Sequence, residues 1–160
     1  MNALTQRYER LERPAIVATP APAGAVVLAQ GPAWQAFLLL HWAFVVMLLT
    51  VGADKFFDVL APWGSYLAPA VSDVLGVSAQ GFMRTVGVVE ILLGLMVAFA
   101  PRLGGWLVAG WLWAITLNLL FAAGYTDMAL RDAALSLGAL ALARLGTIYQ
   151  DAVEPPRRKR

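Results

Sequence analysis

Cysteine is absent from this chain and histidine occurs once. Those gaps exclude thiol redox chemistry, cysteine-ligated zinc, iron–sulfur clusters, disulfide staples and bis-histidine haem. No phosphate-binding glycine loop, metal quartet or nucleophile triad is present. Charge is scarce too: 14% of residues are charged, against about 25% in a soluble domain. What the chain has in abundance is apolar. Hydrophobic residues make up 60% of its 160 positions, and the mean hydropathy is +0.68. The apolar stretches run on without the polar interruptions of a soluble helix or strand, which excludes a soluble enzyme, a nucleic-acid binder and a secreted disulfide scaffold. The composition is that of an integral membrane protein.

Residues 1–32 read as a cytoplasmic tail. Arg7, Glu9, Arg10, Glu12 and Arg13 mix charges, and prolines 14, 20 and 22 stand where a signal peptide would carry its apolar core. Residues 33–148 then read as an all-α membrane domain of four spans, at about 34–53, 81–100, 103–123 and 128–146. Each is long enough to cross about 30 Å of hydrocarbon. Pro101-Arg102 reads as a short connection, and short connections make spans two to four antiparallel neighbours in a bundle. Residues 149–160 read as a basic cytoplasmic tail.

The basic residues set the expected orientation. Arg7, Arg10, Arg13, Arg102, Arg144, Arg157, Arg158, Lys159 and Arg160 fall on one side of the bundle, and Lys55, Arg84 and Arg131 on the other. By the positive-inside rule, both termini are cytoplasmic. The segment 54–80 is then external. It holds Phe56, Phe57, Trp63 and Tyr66, broken by Pro62 and Pro69, with an amphipathic stretch near 70–75. It is too apolar for a free loop and is expected to cap the bundle at the outer interface as an aromatic lid.

Orientation gives each polar group a depth. Arg84, Glu90, Asn118, Arg131, Asp132 and Lys55 come from all four spans and converge in the outer half. Glu90 carries most weight, because an acid at the centre of a membrane helix costs about 2.5–3.5 kcal/mol and normally faces protein or water. Gly87 and Gly94 flank it at helical spacing, a seam that admits a neighbouring helix closely. Glu90 therefore either locks helices by pairing with Arg84, Lys55 or Arg131, or handles a proton or a ligand. Asp127 and Arg131 are spaced as an i, i+4 helix pair. Asn118 reads as interhelical glue, His41 as a packed side chain, and Trp106, Trp111 and Trp113 as belt and packing residues.

Three motifs carry a resemblance. "GADKFFD" ends the first span, "VGVVEILLGLMVAF" with "PRLGG" forms the second and its exit, and "LRDAALSLGALALARL" forms the fourth. Over about residues 37–148 the chain resembles the DoxX/DoxD-like family of small four-span bacterial membrane proteins. The resemblance implies a multi-pass protein of the bacterial inner membrane, with Lys55 and Glu90 as its recurring polar positions. It also implies an accessory or quinone-contacting subunit of a redox membrane complex, with quinone as ligand and no catalytic activity of its own. Expected partners are the lipid bilayer, other membrane subunits or further copies of the chain. Two alternatives stand beside it: a small proton-coupled transporter using Glu90, and a purely structural subunit.

The orientation is checked with reporter fusions after Arg160 and within residues 64–73. A cytoplasmic signal from the first and an external signal from the second are expected. An external C-terminus would overturn the depth assignments above.

Overall fold

A computed structural model describes residues 31–122 and 124–153. The expectations for residues 1–30 and for the basic end, residues 154–160, lie outside them. Five α-helices and one short 3₁₀ turn make up this part of the chain, with no strand among the described residues. Helix α1 spans Pro32–Asp54, α2 Pro69–Leu75, α3 Ala79–Phe99, α4 Pro101–Phe121 and α5 Thr126–Val153. The 3₁₀ turn Trp63–Tyr66 lies in the segment between α1 and α2.

The three helices α1, α3 and α4 are long and apolar enough to cross a membrane, as expected of a helical membrane protein. Helix α5 is longer, about 42 Å over its 28 residues, but more polar. It continues past the expected end at 146 into the region read as tail. One expected boundary is corrected. Pro101 and Arg102 do not connect two helices but begin α4, and Ala100 alone joins α3 to α4. The reason is that proline at the first helical position loses no hydrogen bond and already has the right φ. The start of α3 is fixed by Ser78, whose hydroxyl accepts from the Gly81 amide at 3.2 Å. Gly76 ends α2 at φ 62°, a conformation that costs glycine little.

The four long helices form a ring in which α1 packs on α3, α3 on α4, α4 on α5 and α5 back on α1. Every neighbouring pair is antiparallel. Gly52 meets Gly87 while Leu48 and Leu49 meet Gly94; Gly104 meets Val97; Gly105 meets Ala139 and Ala143 while Gly146 meets Arg102. Tyr149 packs near Trp34 and Phe37, and Phe44 near Gly138, which closes the ring. In lipid the helices gain nothing by hiding apolar surface from one another, so close backbone approach through small residues holds such a bundle together. The buried apolar core, including Phe37, Leu48, Val97, Val108, Leu112 and Leu142, fills the ring away from the α1–α3 connection. Beyond it the ring widens beneath residues 59–71, the end called here the lidded end.

The tightest seam is between α1 and α3. A Cβ on Gly87 would stand 2.6 Å from the Gly52 carbonyl oxygen, and one on Gly52 would stand 2.9 Å from that of Gly87. Both obstacles are backbone and cannot rotate away. Gly87→Ala and Gly52→Ala are therefore expected to destabilise by about 1–3 kcal/mol, the usual range for overpacking. Gly110 has nothing within 4 Å of its hypothetical Cβ, so Gly110→Ala is expected to be neutral or to stabilise by up to about 1 kcal/mol. Thermal unfolding of the three variants in one detergent measures the contrast. Equal midpoints would refute the seam.

Candidate functional site

At the lidded end, Lys55 follows α1 directly and Glu90 projects from the middle of α3. Lys55 Nζ donates to Glu90 Oε2 at 2.6 Å, and the two residues are only 3% and 4% exposed. The sequence offered Arg84, Lys55 and Arg131 as partners for this acid; the partner is Lys55. Two features let them meet. A helical Cα–Cβ bond tilts toward the N-terminus, so Glu90 leans along α3 toward the level of Lys55. Gly87 leaves room for the lysine stem, whose Cβ passes 3.1 Å from where a Gly87 Cβ would be. Buried this deeply, each charge depends on the other, because desolvation costs several kcal/mol per ion.

The lysine also touches the lid. Its ammonium lies 3.9 Å from the centroid of the Trp63 ring, a cation–π contact. Trp63 is held there by the residue before Lys55. The Asp54 carboxylate accepts from Trp63 Nε1 at 2.7 Å and from the amides of Val59 at 3.1 Å and Leu60 at 3.0 Å. One carboxylate thus turns the chain back over the end of α1.

A second tether comes from α4. Asn118 donates from Nδ2 to the Tyr66 carbonyl at 2.7 Å and accepts at Oδ1 from the Ala68 amide at 3.0 Å. Asn118 is glue, but it binds the lid segment to a helix where the sequence suggested helix to helix. Tyr66 packs edge-on against Trp63 and against Tyr125, the residue before α5, with centroids 5.8 and 4.9 Å apart. Leu67 joins Met83 and Val86 of α3 in a small buried cluster with Trp63 and Trp111 at its margin.

Beneath this cover lies a cavity of about 570 Å³, within the range that holds a drug-sized ligand. Its walls are mostly apolar, and Lys55, Glu90, Asn118, Arg131 and Asp132 contribute its polar surface with Trp63 and Tyr66. Three of the sequence candidates stand elsewhere. Arg84 is exposed and does not line the cavity, nor do the exposed Phe56 and Phe57. Arg84 lies six residues before Glu90, and at about 100° per residue this puts it about 120° away around α3. Arg131 reaches the cavity wall from an exposed position and makes no ion pair with Asp127. Asp132, the next residue, is half-buried and lines the same cavity as the Lys55–Glu90 pair.

One residue of the site reads from the sequence as a belt and packing residue. Trp111 of α4 lines the cavity, and its indole N–H is buried without a hydrogen-bond partner among the described residues. The Glu90 carboxylate lies beside it, but the geometry of a hydrogen bond is not met. Helical spacing could have placed it: Trp111, Ile115 and Asn118 recur at i, i+4 and i+7 on one face of α4. His41 lies in the core on the far side, 1% exposed and packed against Phe37 and Trp42, with its Nδ1 unpartnered among the described residues. No group of three or more metal-ligating side chains occurs among the described residues. No family model, curated protein or solved structure matches the chain.

A buried pair behaves as a unit. Glu90→Gln strands the lysine cation and Lys55→Met strands the carboxylate, each at about 3–5 kcal/mol. The double variant removes both charges of the pair together and is expected to be more stable than the sum of the two losses requires. Unfolding of all four proteins under one condition supplies the cycle. Additive losses would mean that Lys55 and Glu90 act separately.

Proposed function

We propose that this chain is a DoxX-like subunit of the bacterial inner membrane, accessory to a redox membrane complex, whose lidded cavity takes a quinone-like lipophile. The observation that carries this reading is the cavity itself. It is roomy and largely apolar, roofed by Trp63 and Tyr66, and floored by a charged pair. A quinone needs aromatic and aliphatic walls for its ring and tail and a few polar groups near its carbonyls. The chain has no cysteine and so no thiol couple, and the reading is a site that holds or passes the ligand.

The topology forms part of the proposal. Helix α5 is the fourth span, both termini are cytoplasmic, and the lidded end faces outward. In support, α5 carries exposed Leu130, Leu137 and Ile148 on its outer surface, as α1 carries Leu39, Trp42 and Val46. Both rows suit lipid. Its charged residues Arg131 and Asp132 lie one turn from its start, where they reach the interface or the cavity, and exposed Arg144 can snorkel at the other end. The pairing of Glu90 with Lys55 favours this reading over a proton-coupled carrier, because the acid already has its counter-ion at 2.6 Å.

Binding is tested directly with decylubiquinone added to the full chain in lipid nanodiscs. Saturable binding is expected, together with a rise in the unfolding midpoint. Substituting Val86→Trp, which fills the cavity from α3, is expected to abolish both while the protein still folds. Absence of saturable binding to the wild-type chain would overturn the ligand reading in favour of a structural subunit.

A further inference from the structure

Arg131 and Asp132 reach the cavity from exposed and half-buried positions, and the more deeply buried polar atoms around it are mostly occupied. Lys55 is engaged by Glu90 and Trp63, and both amide atoms of Asn118 are spent on the lid backbone. Thr116 and Ser136, buried nearby on α4 and α5, return their hydroxyls to their own helices at Leu112 and Ala133. Among the described residues, two buried side-chain atoms lack partners, and only Trp111 Nε1 belongs to a residue lining the cavity. A buried N–H without an acceptor is costly, and the indole can only donate. The Glu90 carboxylate lies beside the indole but does not accept from it in this arrangement, so an acceptor brought by an occupant supplies the missing partner.

We infer that Trp111 is the specificity-determining donor of this site, and that it selects amphipathic molecules whose buried end presents a hydrogen-bond acceptor such as a carbonyl oxygen. The inference rests on the cavity being a ligand site and adds to it which end of the ligand goes inward. A lipophile enters with its acceptor toward Trp111, near the Lys55–Glu90 pair, and its apolar part along Val86, Leu112 and Ile115. A plain hydrocarbon of the same shape fits the walls but leaves the indole unpaired. Sites built to hydrogen-bond a ligand discriminate strongly against analogues lacking the partner group, because the protein atom is then left unsatisfied.

The test pairs two proteins with two probes. Wild type and Trp111→Phe are titrated in nanodiscs with decylubiquinone and with decylbenzene, which has the ring and tail but no oxygen. The phenylalanine keeps an aromatic wall and removes the donor, and comparing probes cancels any general change in packing. Trp111→Phe is expected to weaken decylubiquinone roughly tenfold and to leave decylbenzene within about twofold, the worth of one hydrogen bond. Equal losses for both probes, or none for either, would overturn the assignment while leaving the cavity reading intact. Failure of both probes to bind wild type would refute the cavity reading and the assignment together. A second measurement needs only the wild-type fold. The Trp111 indole N–H proton resonance is expected to shift downfield with decylubiquinone and to stay in place with decylbenzene; a resonance unmoved by saturating decylubiquinone would likewise overturn the assignment.

Discussion

A charge cannot be left alone in a low-dielectric interior, and the lidded end of this protein is arranged around that constraint. Glu90 sits in the middle of an apolar helix, so a cation has to be brought to it. Lys55 can arrive only if α1 and α3 approach closely enough for its stem to cross Gly87, which explains why the two glycines 52 and 87 face each other. The cation then draws Trp63 over itself, and Asp54 and Asn118 fasten the chain on either side of that ring. Seam, pair and lid are consecutive solutions to one electrostatic problem.

The same arrangement explains why the space beneath the lid stays open. Near the α3–α4 connection the ring is filled by Phe37, Val97, Val108 and Leu142. Toward the lid the walls hold Ala114 among larger apolar side chains, and Trp63 and Tyr66 of the lid segment span the space above them. Most buried polar groups there serve the architecture, and the indole N–H of Trp111 is the fully buried donor of the cavity wall left without a partner among the described residues.

Much of this was legible from residue order. A run of about 20 apolar residues has few options besides crossing a membrane, so the long helices and their neighbours could be read directly. Height along a helix was legible as well, which is why Lys55, Glu90, Asn118, Arg131 and Asp132 were placed at one level. Direction around the helix is a separate coordinate, and there the fold departs from the expectation: Arg84 is at a suitable height but on another side of α3. Phe56 and Phe57 were grouped with the lid by proximity in sequence, whereas Asp54 turns the chain so that Trp63 and Tyr66 provide the cover. The choice of Lys55 over two arginines depends on a backbone contact between glycines far apart in sequence, and no local pattern reveals such a contact. Trp111 was hidden by its type, because tryptophans in membrane helices usually mark packing or the interface.

The single residue between α3 and α4 has a mechanical meaning. Ala100 joins the two helices, and Gly104 lies directly against Val97 just beyond it, so in geometric terms the pair are two arms that meet at one point. Each arm has 21 residues, about 31 Å. One degree of opening at the pivot therefore separates the far tips by about 0.5 Å, by the geometry of arms that long. Glu90 and Trp111 ride on opposite arms about midway along. A few degrees at Ala100 are enough to change the gap between acid and indole by about the difference between a direct contact and a hydrogen bond lost. The gap between α3 and α4 at the level of the cavity is thus sensitive to the angle at Ala100, at the opposite end of the bundle.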